Sequence, residues 1–361
     1  FHEGIDLATA FRQDHPLIIW LLPLAGVLTL SLYRLCKVSF SAGTNLIIQS
    51  VTTNEHIPAP LAPLIVLGTL LSHLFGASVG REGAALQLGG SIGHNLGERL
   101  GFDESDVRVL SMCGMAGCFS AMFGTPITAA IFVLEVICVG TLQHSAFLPC
   151  VTSSCSAWAI SRMMGVRPMN YILTAGIPKS GGMVVLRVLF LSALCAGVGI
   201  LLCISLHWSE RIWSKVKNPY LRIAAAGTCM ALLVNLFGLF DYAGAGGHMI
   251  ELAIAGSGKP YAFLLKIVLT ALCVGGGFRG GEIVPTLFTG ALFGCTVGPV
   301  IGMEPGFAAA VGMVCVFCSV VNCPIATVFL AAELFSTVNL GLFAAAIALS
   351  FVLSGYFGLY S

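Results

Sequence analysis

The chain has 361 residues, 57% of them hydrophobic and only 9% charged, with a formal net charge of +1. Ordinary soluble domains carry roughly 25% charged residues, so most of this chain is built for lipid rather than water. Without a basic tract it offers nucleic acid no electrostatic footprint.

From the N-terminus, residues 1–16 (FHEGIDLATAFRQDHP) read as the end of a helix followed by a loop, with no signal peptide ahead of the first domain-like segment. Apolar sequence begins at residue 17, and Arg34 and Lys37 follow this first span. Charge-free runs then recur at residues 59–80, 109–134, 136–161, 188–209, 283–303, 305–332 and 334–361. Each reaches the ~20 residues that span a bilayer as helix. A second basic cluster, Arg211, Lys215, Lys217 and Arg222, lies between later spans. Both basic loops are therefore expected on the cytoplasmic side. The charge-free end at Ser361 predicts no soluble regulatory domain. Together these features predict an all-α polytopic protein of the cell's inner (plasma) membrane.

Glycine and proline cut the runs, as in FGTPITAAIF, VNCPIATVFL and GGGFRGGEIVP. At membrane depth, backbone groups freed by such breaks are tolerated only against protein or a water-filled cavity. Broken helices thus predict a pathway, and half-helix N-termini suit an anion. Residues 114–135 and 312–333 align without gaps at an offset of 198, keeping Gly-Met, Phe119 with Phe317, Pro-Ile and a terminal glutamate. At the same offset Arg81 meets Arg279. Two related halves are expected, with the site where they meet.

Two patterns suggest enzymes. GGSIG, with Ser91 at its centre, fits a nucleophile elbow, and GGGFRG fits a dinucleotide-binding loop, but neither has the soluble α/β context those motifs need. Ser91 reads as a helix-packing residue, with a membrane-embedded hydrolase as the remote alternative. The fourteen cysteines are scattered through apolar segments, and the one Cys-x-x-Cys, Cys315 and Cys318, has no second pair. They read as packing residues. No metal, no cofactor and no catalytic residue is expected.

The ionisable residues inside the apolar runs carry more weight. A charge at the bilayer centre costs about 2.5 to 3.5 kcal/mol on insertion scales, so it is paired or functional. Arg81 and Glu82 interrupt the first half, Arg279 and Glu282 the second. Arg81 paired with Glu82 or another carboxylate as a structural tie is the bland reading. Glu135 and Glu333 read as helix-end residues at the membrane interface. His73, His94 and His248 read as hydrogen-bonded core or interface residues rather than proton carriers.

At these residues the chain resembles the CLC chloride channel and transporter family. GREGAALQLGGSIG is similar to that family's GREGP signature and GGGFRGGEIVP to its GxFxP signature. PITAAIFVLE lies between them, and DYAGAGG sits where the family carries a Tyr-x-Gly-x-Gly turn. The resemblance runs from residue 17 onward. It implies a CLC-type fold of two inverted repeats, residues 1–180 with the first helix truncated and residues 181–361, whose broken helices surround a central anion site. It also implies a homodimer with one pore per protomer.

By the same resemblance Glu82 matches the gating glutamate, which takes an anion site when deprotonated and leaves it when protonated. Anion-binding residues are then Thr44, Gly80, Arg81, Glu82, Gly83, Glu282, Ile283 and Tyr360: backbone amides of residues 80–83 and 282–283, the Thr44 hydroxyl near the family's serine position, and the Tyr360 hydroxyl. Departures point to a branch. Ala84 replaces the signature proline, Glu282 is added beside the ion path as a candidate second coupling residue, and Val136 stands where chloride antiporters carry a second glutamate. These resemble the bacterial fluoride-exporting branch, which commonly has Asn or Met where Thr44 stands. The expected function is exchange of fluoride for protons, with a chloride channel or chloride/proton antiporter as the alternative. The expected partners are a small anion, protons, the lipid bilayer and a second copy of the chain.

Overall fold

Without water to satisfy it, backbone inside a bilayer must bond to itself, and a chain this apolar has the helix as its simplest solution. The computed structural model describes residues 1–39, 44–53, 55–137, 143–166, 169–173, 178, 181–335, 337, 339–355 and 357–359, apart from the side chains of residues 44–46. The described residues form sixteen α-helices. The first half holds α1 (His2–Asp14), α2 (Leu22–Leu35), α3 (Thr44–Thr53), α4 (Leu61–Leu74), α5 (Glu82–Leu100), α6 (Glu104–Phe123), α7 (Pro126–Ile137) and α8 (His144–Met163). The second holds α9 (Gly182–Ser214), α10 (Pro219–Phe237), α11 (Gly247–Ile254), α12 (Ala262–Gly276), α13 (Ile283–Val297), α14 (Pro305–Val321), α15 (Pro324–Phe335) and α16 (Leu340–Ser354). The loop expected after α1 is a 3₁₀ segment, Pro16–Leu21, that runs directly into α2.

Five of these stretches are long and apolar enough to cross a membrane, among them the 33-residue α9, while six further apolar helices are shorter. The charge-free runs therefore do not map one to one onto spans. The run at 109–134 contains the end of α6, a break at Gly124 and most of α7, and the run at 305–332 contains α14 and α15 with a break at Asn322. Gly124 (φ 76°) and Asn322 (φ 56°) both stop their helices in the left-handed region, and a proline starts the next helix.

The two halves are tied by an exchange of caps. The Glu135 carboxylate at the end of α7 accepts from the Ile325 and Ala326 amides at the start of α15, at 3.1 and 2.8 Å. The Glu333 carboxylate at the end of α15 accepts from the Ile127 and Thr128 amides at the start of α7, at 3.1 and 2.9 Å, and from the Thr128 hydroxyl. The donors obey the same offset of 198 as the acceptors, so the repeat is also a two-fold relation in space. Both glutamates are thus helix-end residues, as the sequence had it, and each neutralises the N-terminus of a helix in the other half. Each is expected to contribute about 2 to 3 kcal/mol. Glu135→Ala and Glu333→Ala should lower thermal stability in detergent to a similar degree, and an unchanged melting temperature in either would refute the capping role.

Glycines set the closest packing. A Cβ at Gly89 of α5 would overlap the Gly114 carbonyl oxygen of α6, and a Cβ at Gly114 would overlap the Gly89 carbonyl. Gly290 of α13 and Gly312 of α14 face each other in the same way. Gly89 and Gly290 are 201 apart, whereas Gly114 and Gly312 are 198 apart, because α14 has 17 residues and α6 has 20. The shift corrects one expected pairing. Arg81 and Glu282, also 201 apart, are the matching N-caps of α5 and α13, so Arg81 is not the counterpart of Arg279.

Residue Arg34, at the end of α2, lies over the Tyr220 ring at the start of α10, with 4.5 Å from guanidinium carbon to ring centroid. Arg34, Lys37, Lys215, Lys217 and Arg222 therefore gather at one end of the bundle, called here the basic end. The opposite end carries α1, the Pro16–Leu21 segment and the turn at residues 240–247.

Candidate functional site

Two short segments bring the helix N-termini together. The residue before Arg81 and the residue before Glu282 pair as an isolated antiparallel bridge, Gly80 N to Gly281 O at 2.6 Å and Gly281 N to Gly80 O at 2.7 Å. Side chains would prevent it: a Cβ at Gly80 would lie 2.9 Å from both the Gly281 oxygen and Pro285 Cδ. Because of this bridge, α5 and α13 start side by side. The amides of residues 82–84 and 283–284 are the ones helix geometry leaves without intrahelical acceptors, since Ala85 and Thr286 are the first to bond back to Arg81 and Glu282. Such an arrangement concentrates partial positive charge on one small volume.

Glu82, first residue of α5, is fully buried. Its carboxylate bends back over its own helix start: Oε2 accepts from the Arg81 amide at 3.0 Å and Oε1 from Arg81 Nε at 3.2 Å. Arg81 Nη1 also donates to Asp6 Oδ1 at 2.8 Å, and Asp6 in turn contacts His2 at 2.7 Å. Glu82 is thus held by its neighbour, as the bland reading had it, while facing a cavity.

That cavity, of about 350 Å³, opens at the end opposite the basic one and is lined by Asp6, Arg12, Arg81, Glu82, His248 and Val284 among others. Its wall at residues 242–244 is fastened by two buried cations. Lys266 Nζ donates to the Tyr242 and Gly244 carbonyl oxygens at 3.1 and 2.6 Å and lies 5.1 Å from the Phe288 ring centroid. Arg12 donates to the His73 carbonyl oxygen and, at 3.3 Å, to that of Ala243. The approach to Glu82 is thus lined by the Arg12 and Arg81 guanidinium groups together with the Asp6 and Asp241 carboxylates.

The expected site residues separate under this geometry. Gly80, Arg81, Glu82, Gly83, Glu282 and Ile283 come together around the bridge. The Gly80 amide, expected to face an ion, is taken by the Gly281 carbonyl, and the Arg81 amide is taken by Glu82. Glu282 sits across the bridge, outside the cavity lining that holds Glu82, under the opposing influences of the Glu210 and Arg279 charges. Arg279 lies over the Tyr33 ring, 4.6 Å from its centroid, towards the basic end, so it is an interior group rather than a surface one. Thr44 begins α3, which packs on α5, α6 and α7, but its side chain lies outside the described residues, as do Tyr356 and Tyr360. His73 is a core residue bonded to the Thr69 carbonyl, whereas His248 is exposed at the cavity mouth. Ser91 is buried on the α5 face toward the packed interior.

Sequence reasoning missed Lys266, Arg12 and Asp6. A signal existed for Lys266, a lone cation in the otherwise charge-free stretch 260–278. None existed for Arg12 or Asp6, whose roles come only from the docking of α1 against α4.

Comparison with known proteins follows the same lines. The family profile described as voltage gated chloride channel matches residues 24–355. A protein of Pseudomonas syringae pv. tomato named chloride/fluoride channel protein is 34% identical over 376 residues, covering 100% of this chain and 81% of its own. A crystal structure of a CLC-type fluoride/proton antiporter superposes with a TM-score of 0.95 at 32% identity, covering 100% of this chain and 92% of that one. A slow cyanobacterial chloride/proton antiporter superposes with a TM-score of 0.83 at 17% identity, covering 98% of this chain and 88% of that one, and shares the fold.

Proposed function

The chain belongs to the voltage-gated chloride channel family of membrane anion transporters, and from that premise we propose that it exports fluoride in exchange for protons, with Glu82 as the gate both ions share. The observation that carries this reading is the Glu82 carboxylate seated on the N-terminus of its own helix, against the Arg81 amide. An anion at the start of α5 is drawn by the same partial positive charge of the helix end, so carboxylate and anion compete for that one volume. Protonation removes the charge and with it the competition, and proton and anion then alternate at one position.

The donors are the free amides at the starts of α5 and α13, those of Glu82 and Gly83 and of Ile283, completed by the Thr44 and Tyr360 hydroxyls. Fluoride is small and strongly hydrated, so its site must replace a costly shell with several close donors. Converging helix ends supply them. Glu282, outside the lining of the Glu82 cavity, is a candidate second carrier that relays protons to the basic end. We read that end as cytoplasmic by the positive-inside rule, so the cavity opens to the outside of the inner membrane in which the protein is proposed to sit. The protein works as a homodimer whose protomers each divide near residue 180 into two inverted repeats.

Fluoride is favoured over chloride by Val136, by Glu282 and by similarity at 32% identity to a CLC-type fluoride/proton antiporter, while the 34% identical relative is named for both anions. Chloride transport is the second reading, because a threonine hydroxyl at residue 44 can serve chloride as a serine does. Liposomes holding the purified protein, loaded with fluoride or chloride while external pH is recorded, decide between them. Fast fluoride efflux with opposing proton movement and slow chloride efflux is expected. Comparable or faster chloride flux overturns the fluoride assignment, and efflux without proton movement overturns exchange.

A further inference from the structure

Far from the gate, at the other end of α5, His56, His94 and Glu98 bring one ligand atom each to within 4.8 Å of one another. His94 and Glu98 are one helical turn apart on the same face of α5, so their side chains project together. His56 arrives from the segment before α4, which is fastened to α5 by a hydrogen bond from Asn95 Nδ2 to the Ile57 carbonyl oxygen at 3.2 Å. Glu98 Oε1 lies 2.9 Å from His56 Nδ1 and 3.2 Å from His94 Nε2. Helix α4 runs antiparallel to α2, with Gly76 just beyond its end against Ile19 just before α2, so the cluster sits at the basic end. Sixteen residues of helix, about 24 Å, separate it from Glu82.

Hydrogen bonding alone does not satisfy this arrangement. His94 Nε2 also receives the Ile57 amide at 3.2 Å. If Nε2 carries no proton, its lone pair faces a carboxylate oxygen 3.2 Å away; if it carries one, it faces the Ile57 N–H. Either tautomer leaves one contact between like partners. A cation that takes the Nε2 lone pair and the Glu98 oxygen together relieves the first case, with the 3.2 Å Ile57 contact given up in exchange. We infer that His56 Nδ1, His94 Nε2 and Glu98 Oε1 form a site for a divalent transition metal of the zinc class.

The donor set supports that class. Two imidazoles and one carboxylate suit zinc, cobalt, nickel or ferrous iron and disfavour calcium or magnesium, which take oxygen ligands. Metal bonds of about 2.0 to 2.1 Å hold neighbouring donors roughly 3.0 to 3.4 Å apart; the His94–Glu98 separation of 3.2 Å falls in that range and the His56–Glu98 separation of 2.9 Å lies just below it. The His56 and Glu98 side chains are 66% and 39% exposed, so the remaining coordination positions are open to water. Occupancy would lock the segment before α4 onto α5. The site is independent of the transport reading, and no part of it touches the gate.

The test is a Co²⁺ titration of the full-length chain, purified without a histidine tag, followed by visible absorption. One saturable Co²⁺ per chain with d–d bands and no thiolate charge-transfer band is expected, and affinity at least about tenfold weaker in His56→Ala and in Glu98→Gln. Both changes are at exposed side chains, so folding is preserved and can be verified by gel filtration. Absence of saturable uptake, a thiolate band, or unchanged affinity in both variants overturns the site.

Discussion

Glu82→Gln is expected to cut fluoride-driven proton movement in liposomes by at least about tenfold, equivalent to about 1.4 kcal/mol of lost coupling. Glutamine keeps the shape of the side chain and can still accept from the Arg81 amide, but it exchanges no proton and carries no charge with which to compete against an anion. Its flux should also lose the dependence on pH that a titrating gate imposes. The full carboxylate contributes in two ways, as an occupant of the helix start and as a proton carrier, and this substitution removes both while leaving packing intact. Ser91→Ala, on the same helix, should leave flux and coupling unchanged, which separates gating from any hydrolase-like chemistry at Ser91. Undiminished proton movement in Glu82→Gln would remove Glu82 from the mechanism and leave the competition argument without its carrier.

Gly114→Val is expected to abolish the folded protein. The Cβ it introduces meets the Gly89 carbonyl oxygen, a backbone atom in the middle of a facing helix that has no rotamer to adopt. Overpacking against a yielding side chain costs about 1 to 3 kcal/mol; here α5 and α6 must separate, and α5 carries Glu82 and the Gly80–Gly281 bridge at its start. The same valine at Gly197, where an added Cβ meets nothing within 4 Å, serves as the control. The check is the monodisperse gel-filtration peak in mild detergent, lost for Gly114→Val and kept for Gly197→Val. A folded, active Gly114→Val would show that the α5–α6 approach is looser than the coordinates require.

Much of the site was legible from residue order because its chemistry is local. The GREG and GGEIVP stretches each contain the charge, the helix start and the glycine that permits close approach, so their motifs could be read directly. Even so, one-dimensional alignment paired Arg81 with Arg279, and only helix positions show Arg81 opposite Glu282. The three-residue difference between α6 and α14 produces that shift, and it is silent in a string of apolar letters. Glu135 and Glu333 illustrate the same limit. Their symmetry was visible, yet the donor amides they cap lie on the other half of the chain, about 190 to 206 residues away.

The sequence by itself determined that this is an all-helical membrane protein with a repeated design, because composition and the 198-residue offset need no coordinates. It also determined the family, because two signatures in order and a glutamate after an arginine form a local pattern. Only the tertiary structure decided what the charges do. Burial and partner choice depend on which helices meet, so Arg12 and Lys266 fastening the cavity wall, the exchanged glutamate caps and the His56–His94–Glu98 cluster appear once α1, α4, α5, α7, α12 and α15 are packed. A residue's neighbours along the chain restrict its conformation, whereas its electrostatics are set by neighbours across space.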